Sequence, residues 1–105
     1  MKFHDIEARI SALDVDLRYV RTGPGATVVL VHTLRTQVEY FVPLMRELEQ
    51  DVKIVALDLP GHGRSSAPRV EYTATYFTDV VEKFLDALDL ESVLLVGESI
   101  GASIA

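Results

Sequence analysis

Hydrophobic and polar residues alternate near the N-terminus and give way to longer apolar runs, so the chain predicts several kinds of element. The alternation is loose over residues 3–10 and strict over residues 13–19. A period of two is typical of half-buried strands. Two such stretches in succession predict an antiparallel pair at a sheet edge, followed by a turn over residues 21–25.

Three largely apolar runs follow, and a run without alternation predicts a strand buried on both faces of a parallel sheet. These runs cover residues 28–31, 52–57 with Lys53 as the polar exception, and 93–96. Two amphipathic helix patterns separate the runs, one over residues 41–48 with Pro43 in its first turn and one over residues 77–88. The order predicts an α/β fold, in which an antiparallel edge hairpin is followed by parallel β-α-β-α-β.

Composition and charge exclude several classes of function. The 105 residues are 49% hydrophobic and 25% charged, which is ordinary for a globular protein, and the net charge of −6 leaves no basic footprint for nucleic acid. No stretch reads as a signal peptide or a membrane span, and there are no cysteines. Metal-ligand spacing and phosphate-binding glycine loops are also absent from the sequence. We therefore expect a cytoplasmic protein with no cofactor, no metal, and no nucleic-acid or membrane partner.

The clearest candidate chemistry lies in one short turn, Gly97-Glu98-Ser99-Ile100-Gly101, which matches G-x-S-x-G. An apolar strand leads into the turn and small residues lead out of it, the setting in which a sharp turn exposes a nucleophilic serine. Gly97 and Gly101 leave room for neighbouring backbone, and the Ile100 N–H is placed to stabilise an oxyanion. The alternative is a structural turn in which Ser99 only caps the following helix.

Three segments together resemble the α/β-hydrolase superfamily over essentially the whole chain. Residues 28–34 are similar to the family's strand ending in His-Gly-x, residues 58–66 match its D-x-P-G-x-G-x-S loop, and residues 97–101 match its nucleophile elbow. The resemblance implies that residues 1–105 are an incomplete α/β-hydrolase domain, the N-terminal portion through the elbow. It places the chain in the serine-nucleophile branch, which is esterase- or haloperoxidase-like.

The resemblance also implies a role for each matching residue. Ser99 would be the nucleophile, and the backbone N–H groups of Ile100 and Leu34 would form the oxyanion hole. Serine at the elbow disfavours the dehalogenase and epoxide-hydrolase branches, which use aspartate there. The remaining matches would shape turns and loops: His32, Asp58, Gly61, His62, Gly63, Gly97 and Gly101.

Two residues after His32 depart from the family's pattern. Thr33 replaces the usual glycine, and since a β-branched residue tolerates positive φ poorly, we expect the oxyanion loop to differ in shape. Arg35 stands where one branch of the family has proline. It is a candidate for binding a substrate carboxylate, although the solvated alternative is favoured because arginines are mostly exposed.

The acid and the histidine of the catalytic triad are expected in sequence absent from these 105 residues. In the family they follow the nucleophile, and only six residues follow Ser99 here. A base must lie within hydrogen-bond reach of its nucleophile, and His4 in the first edge strand is expected far from the elbow. In the family, the next strand pairs with residues 93–96, which would otherwise form an exposed apolar edge.

The expected function is that of a serine hydrolase. It would act on an ester or similar small-molecule acyl substrate through an acyl-Ser99 intermediate. The remaining C-terminal half of the fold or a partner chain would complete the sheet, and the 105 residues alone are expected to be inactive. The alternative is a non-catalytic small-molecule binding or signalling protein on the same fold.

Overall fold

The order of strands and helices follows the sequence pattern. A computed structural model describes residues 7–23, 25–48, 50–90 and 92–97. Within these ranges one sheet is built from β1 (Glu7–Ala12), β2 (Val15–Thr22), β3 (Thr27–Val31), β4 (Lys53–Leu57) and β5 (Val93–Gly97). A short 3-10 helix (Val38–Phe41) leads into α1 (Val42–Leu48), and α2 comprises Ala74–Ala87. The predicted α/β architecture is confirmed.

The sheet combines an antiparallel edge with a parallel centre, in the order β1-β2-β4-β3-β5. β2 runs antiparallel to both β1 and β4, which confirms the predicted hairpin at the sheet edge. β3 lies between β4 and β5 and is parallel to both. Val31 is in register with Leu57 on one side and with Gly97 on the other, so these three strands end at the same edge.

Each face of the sheet has its own apolar core, because successive side chains of a strand point to opposite faces. In β4, Val55 and Leu57 join the core beneath α2, while Ile54 and Ala56 join the core beneath α1. All four side chains are fully buried. This double burial explains the continuous apolar run of β4.

The helix α2 buries one stripe of its surface. Its buried residues follow the helical spacing predicted from the sequence: Phe77, Val80, Val81 and Phe84. The helix begins after Thr73, whose side-chain oxygen accepts a hydrogen bond from the Tyr76 N–H at 3.0 Å. Pro43 lies in the first turn of α1, as expected for a residue without an N–H.

One detail of the strands differs from the predictions. Leu13 is not part of β2: with Asp14 it forms the hairpin turn, at φ 51° and 60°. Positive φ at both central positions matches the right-handed twist of the flanking strands.

β5 lies at the edge of the described sheet with Leu94 62% exposed. Burial on both faces was expected only where a further strand pairs with residues 93–96, and an exposed apolar edge was expected without it. Val93 and Leu95 pack on the α2 side only.

Truncation of Phe84 should destabilise the fold strongly. The side chain is fully buried and its ring meets the Tyr19 ring edge-on, with centroids 5.4 Å apart. Phe84→Ala should lower the free energy of unfolding by about 3–5 kcal/mol because it leaves a cavity. The control Lys83→Ala changes an exposed neighbour and should alter it by less than about 0.5 kcal/mol. Urea unfolding of the natural-length protein measures both, and equal effects would contradict the placement of Phe84.

Candidate active site

The loops that follow β3 and β4 meet at one edge of the sheet. This is the edge at which Gly97, the first residue of the G-x-S-x-G turn, lies in register with Val31. Glu98, Ser99, Ile100 and Gly101 lie outside the described residues. The described part of the site therefore consists of the two loops and the end of β5.

Asp58 follows β4 directly and holds the surrounding segments together. Its fully buried carboxylate accepts hydrogen bonds through Oδ2 from the Arg18 Nε at 2.6 Å and the Arg64 N–H at 2.8 Å. Oδ1 accepts from the Val38 N–H at 2.9 Å. The backbone carbonyl of Asp58 accepts from the Ser65 hydroxyl at 2.6 Å. One residue thus links β2, the 3-10 helix and the loop after β4.

Arg18 is the buried cation of this cluster. Its side chain is 1% exposed, and its guanidinium donates two hydrogen bonds to Glu39, at 2.7 and 3.0 Å, and one to Glu7 at 2.9 Å. Burial alone would lower the pKa of Arg18, but the hydrogen bonds to Glu39, Asp58 and Glu7 raise it above its ordinary value. The hydrogen bond from Arg18 in turn lowers the pKa of Glu39. The cluster thus surrounds one buried cation with one buried and two partly exposed carboxylates.

The sequence pattern did not identify Arg18. It occupies a polar position of an alternating strand, where a solvent-facing side chain is the ordinary expectation. Its partners are 11, 21 and 40 residues away. No signal within β2 itself distinguishes it from a surface arginine.

Gly63 gives the Asp58 carboxylate the space it occupies. The glycine has φ +49°, and a Cβ built on it would lie 2.2 Å from Asp58 Oδ2. Gly61 also has positive φ, at +77°, and a Cβ there would approach the Tyr72 ring at 3.3 Å. The two glycines allow the loop to wrap around the carboxylate on one side and the aromatic ring on the other.

His32 connects the loops after β3 and β4 through both of its ring nitrogens. Nδ1 lies 2.6 Å from the Thr33 carbonyl, to which it must donate, and Nε2 accepts a hydrogen bond from the Leu59 N–H at 2.9 Å. The ring is fully buried, and burial lowers the pKa of His32. Because Nε2 can accept from Leu59 only when it carries no proton, this pair of hydrogen bonds corresponds to the neutral ring protonated on Nδ1. Both ring nitrogens are therefore occupied by backbone groups.

His62 has a different position from His32. Its Nδ1 donates to the Pro60 carbonyl at 3.0 Å, and its ring centroid lies 5.0 Å from that of His32. The side chain is half-buried and also lines an open cavity. His62 therefore stabilises the loop after β4 and also forms part of the cavity wall.

The segment after His32 forms a turn in which Arg35 has positive φ, at 65°. Thr33 was expected to tolerate positive φ poorly, and in this turn its φ is not positive. The Thr33 carbonyl accepts a further hydrogen bond from the Thr36 hydroxyl at 2.7 Å, which closes the turn. Among the described residues nothing accepts a hydrogen bond from the Leu34 N–H.

An open cavity of about 550 Å³ lies over this edge of the sheet. Its walls come from the turn after β3, the loop after β4 and the start of α2: Leu34, Arg35, Pro60, Gly61, His62, Tyr72, Ala74 and Phe77. The predicted site residues Leu34 and Arg35 are thus brought together with His62. The aromatic wall was missed, because Phe77 carries only the signal of a core residue and Tyr72 the signal of a loop.

Two further properties concern the described part of the chain only. Within it, no group of three or more His, Asp and Glu side chains is arranged to hold a metal ion. None of its helices has the length and apolar character needed to cross a bilayer.

Comparison with known proteins connects this geometry to hydrolases. A family model described as the alpha/beta hydrolase fold matches residues 26–105. A haloalkane dehalogenase of Agrobacterium fabrum is 34% identical over 94 residues, covering 90% of this chain and 31% of that protein. An (E)-2-((N-methylformamido)methylene)succinate hydrolase of Acinetobacter baylyi is 31% identical over 86 residues, covering 82% of this chain and 33% of that protein.

A solved structure gives the same result for the fold. The crystal structure of a bacterial membrane phospholipase A has a TM-score of 0.91 and 28% identity to this chain, covering 94% of this chain and 33% of its own. The chain spans about a third of the length of the relatives it matches. These matches confirm the fold implied by the three motifs.

Substitution of Gly63 should disturb the loop through Asp58. Gly63→Ala combines left-handed backbone strain with a collision at a buried carboxylate, so it should lower the free energy of unfolding by more than about 2 kcal/mol. Gly25→Ala is the matched control: that glycine has φ +83°, but a Cβ there lies at an ordinary 3.4 Å from the Asp51 carbonyl. Urea unfolding compares the two variants, and an equal loss would mean that the carboxylate does not limit position 63.

Acidification should destabilise the protein through His32. Burial lowers its pKa in the folded state, whereas the unfolded chain titrates near the ordinary value of about 6.5. The unfolded state therefore binds the proton first. The stability contributed by neutral His32 is complete above about pH 6.5 and is lost as the pH falls from there toward the lower folded pKa.

The measurement for His32 is the free energy of unfolding between about pH 8 and pH 5. In His32→Gln, the amide oxygen replaces Nε2 as acceptor for the Leu59 N–H without titrating. That variant should show a shallower dependence on pH over this window. Identical slopes for both proteins would contradict the assignment.

Proposed function

The chain belongs to the α/β-hydrolase family, and we propose from this premise that it is part of a serine hydrolase acting through an acyl-Ser99 intermediate. The observation that carries the proposal is the register of β3 and β5. It sets Gly97, the first residue of the G-x-S-x-G turn, beside Val31, from which the turn containing the Leu34 N–H continues. A nucleophile and an oxyanion donor would then face one cavity.

The proposed reaction proceeds in two steps. In the first, Ser99 Oγ attacks the carbonyl carbon of an ester or similar acyl compound, and its proton passes to a general base. The carbonyl oxygen becomes an oxyanion, stabilised by the Leu34 and Ile100 N–H groups. The leaving alcohol takes the proton from the base. In the second step water attacks the acyl-Ser99 carbonyl and gives a proton to the base. The bond between the acyl carbon and Ser99 Oγ then breaks, the base returns the proton to Oγ, and the carboxylic acid product is released.

The general base is proposed to be a histidine outside the described residues. His32 is unsuitable, because both ring nitrogens are hydrogen-bonded to backbone and the ring is fully buried. His62 holds Pro60 through Nδ1 and belongs to the cavity wall. The acid that would pair with the general base is likewise proposed to come from a C-terminal part of the fold or from a partner chain. The same source would supply the strands that cover β5.

Preorganisation of the oxyanion donor supports the proposal further. A donor stabilises a developing charge best when it is already held in place and has no competing acceptor. The hydrogen bonds of His32 fix the residues on either side of the cavity floor, Thr33 and Leu59. Asp58 fixes the loop that follows Leu59.

Membership in the family leaves the substrate open. One of the relatives is named as a haloalkane dehalogenase and another as a hydrolase of a substituted succinate, so their substrates do not agree. The chain resembles the dehalogenase branch as well, but that branch uses aspartate at the elbow. The serine at position 99 therefore supports acyl transfer.

Labelling with a fluorophosphonate probe tests the proposal. In the natural-length protein the probe should modify Ser99, because phosphonylation requires an activated serine. Ser99→Ala should abolish labelling. Ser92→Ala, which removes an exposed serine before β5, should leave labelling unchanged. Peptide mass spectrometry identifies the modified residue.

Absence of labelling in folded, natural-length protein would contradict the catalytic proposal. It would favour the non-catalytic alternative, in which a small molecule occupies the cavity without reacting. Circular dichroism on each variant shows whether the fold is retained.

A further inference from the structure

We propose that the cavity takes a substrate bearing a carboxylate, and that Arg35 is the residue that binds it. This inference rests on the proposed function only for the acyl part of the substrate. The binding of an anion by Arg35 follows from the cavity itself. Carboxylates are suitable ligands because the guanidinium presents planar, paired donors.

Arg35 is the cationic side chain in the described wall of the cavity, and no acidic residue lines that wall. Three arginines of the described chain have carboxylate partners: Arg9 with Asp16, Arg18 with Glu7, Glu39 and Asp58, and Arg64 with Glu7. Within the described ranges Arg21, Arg35, Arg46 and Arg69 have no such ion pair, and of these four Arg35 lines the cavity. Its charge is therefore available to a ligand, in a protein whose net charge is −6.

The backbone sets Arg35 immediately beside the proposed oxyanion donor. Its φ of 65° is in the left-handed region, which is strained for a non-glycine residue. The turn that contains it is closed by the Thr36 hydroxyl on the Thr33 carbonyl. A substrate whose carbonyl oxygen binds the Leu34 N–H would thus meet the guanidinium one residue further along the chain.

The rest of the cavity wall favours an apolar body attached to that carboxylate. The Tyr72 ring lies nearly parallel to the Phe77 ring, with centroids 5.8 Å apart. The Tyr72 hydroxyl donates to the Pro68 carbonyl, so its hydrogen-bonding group is already engaged. The volume of about 550 Å³ lies in the range of small-molecule sites.

The inferred substrate class is therefore a small carboxylate-bearing acyl compound with an apolar or aromatic portion. The carboxylate would pair with Arg35, the apolar portion would contact Tyr72 and Phe77, and the scissile carbonyl would lie at Leu34. A neutral analogue of the same shape would keep the apolar contacts and lose the ionic one.

Binding of benzoate and benzamide to the natural-length protein tests this inference. The two probes have nearly the same shape and differ in charge. Neither is an ester, so binding can be measured without the proposed reaction. Isothermal titration should give an affinity for benzoate about tenfold higher than for benzamide. Arg35→Gln should reduce benzoate affinity about tenfold and leave benzamide unchanged, since charge-assisted hydrogen bonds are lost.

The matched control is Arg46→Gln. Arg46 is exposed in the last turn of α1, outside the cavity, and its loss changes the net charge by the same amount. This variant should bind benzoate as the unmodified protein does. Arg35→Gln keeps a non-glycine residue at the strained position, so the backbone cost is unchanged.

Two results would overturn the inference. One is equal benzoate affinity of Arg35→Gln and the unmodified protein, and the other is no saturable benzoate binding by folded protein. Neither probe needs a reactive serine, and Ser99→Ala should bind benzoate normally. A failure of the proposed acyl transfer is therefore distinguishable from a failure of anion binding.

Discussion

The guanidinium of Arg18 is buried, and a buried charge is stable only when opposite charges and hydrogen bonds surround it. Asp58 supplies the fully buried partner, while Glu39 and Glu7 supply the outer ones. Because Asp58 also accepts from the Val38 and Arg64 N–H groups, the same carboxylate fixes two segments far apart in sequence. The loop after β4 can take only one path around it, and Gly63 is required on that path.

The position of the candidate site follows from this cluster and from the sheet. Parallel strands β3, β4 and β5 end together, so their following segments meet at one edge. His32 joins the first two segments by hydrogen bonds to Thr33 and Leu59. The cavity lies above these two loops, and its outer wall is the start of α2.

Local patterns predict elements well here, because burial of strands and helices imposes a fixed period on the sequence. Because β4 is buried on both faces, its residues form an apolar run. Because α2 is buried along one side only, its apolar residues recur at helical spacing. An apolar run does not by itself reveal which strand lies at an edge. The exposed edge at residues 93–96 was instead expected from the resemblance, which pairs this strand with one that follows the elbow, and Leu94 is exposed there.

Long-range partnerships are what the sequence pattern could not show. The Arg18–Asp58 contact spans 40 residues, and nothing near Arg18 in sequence announces it. The motif match did indicate that Asp58, His32 and Gly63 shape loops, but not which atoms they hold. Thr33 was expected to tolerate positive φ poorly, and the positive φ of this turn falls on Arg35, a position that the sequence pattern did not indicate. The aromatic side of the cavity could not be predicted either, because it depends on the contact between Tyr72, before α2, and Gly61 in the loop after β4.

We propose that the Leu34 N–H is ready to bind an oxyanion at this edge of the sheet. A crystal structure of the natural-length protein after reaction with a small fluorophosphonate tests this proposal. A phosphonyl oxygen is expected about 2.7–3.1 Å from the Leu34 nitrogen, with phosphorus bonded to Ser99 Oγ. A phosphonyl oxygen directed elsewhere, or a Leu34 N–H hydrogen-bonded to another part of the protein, would contradict it.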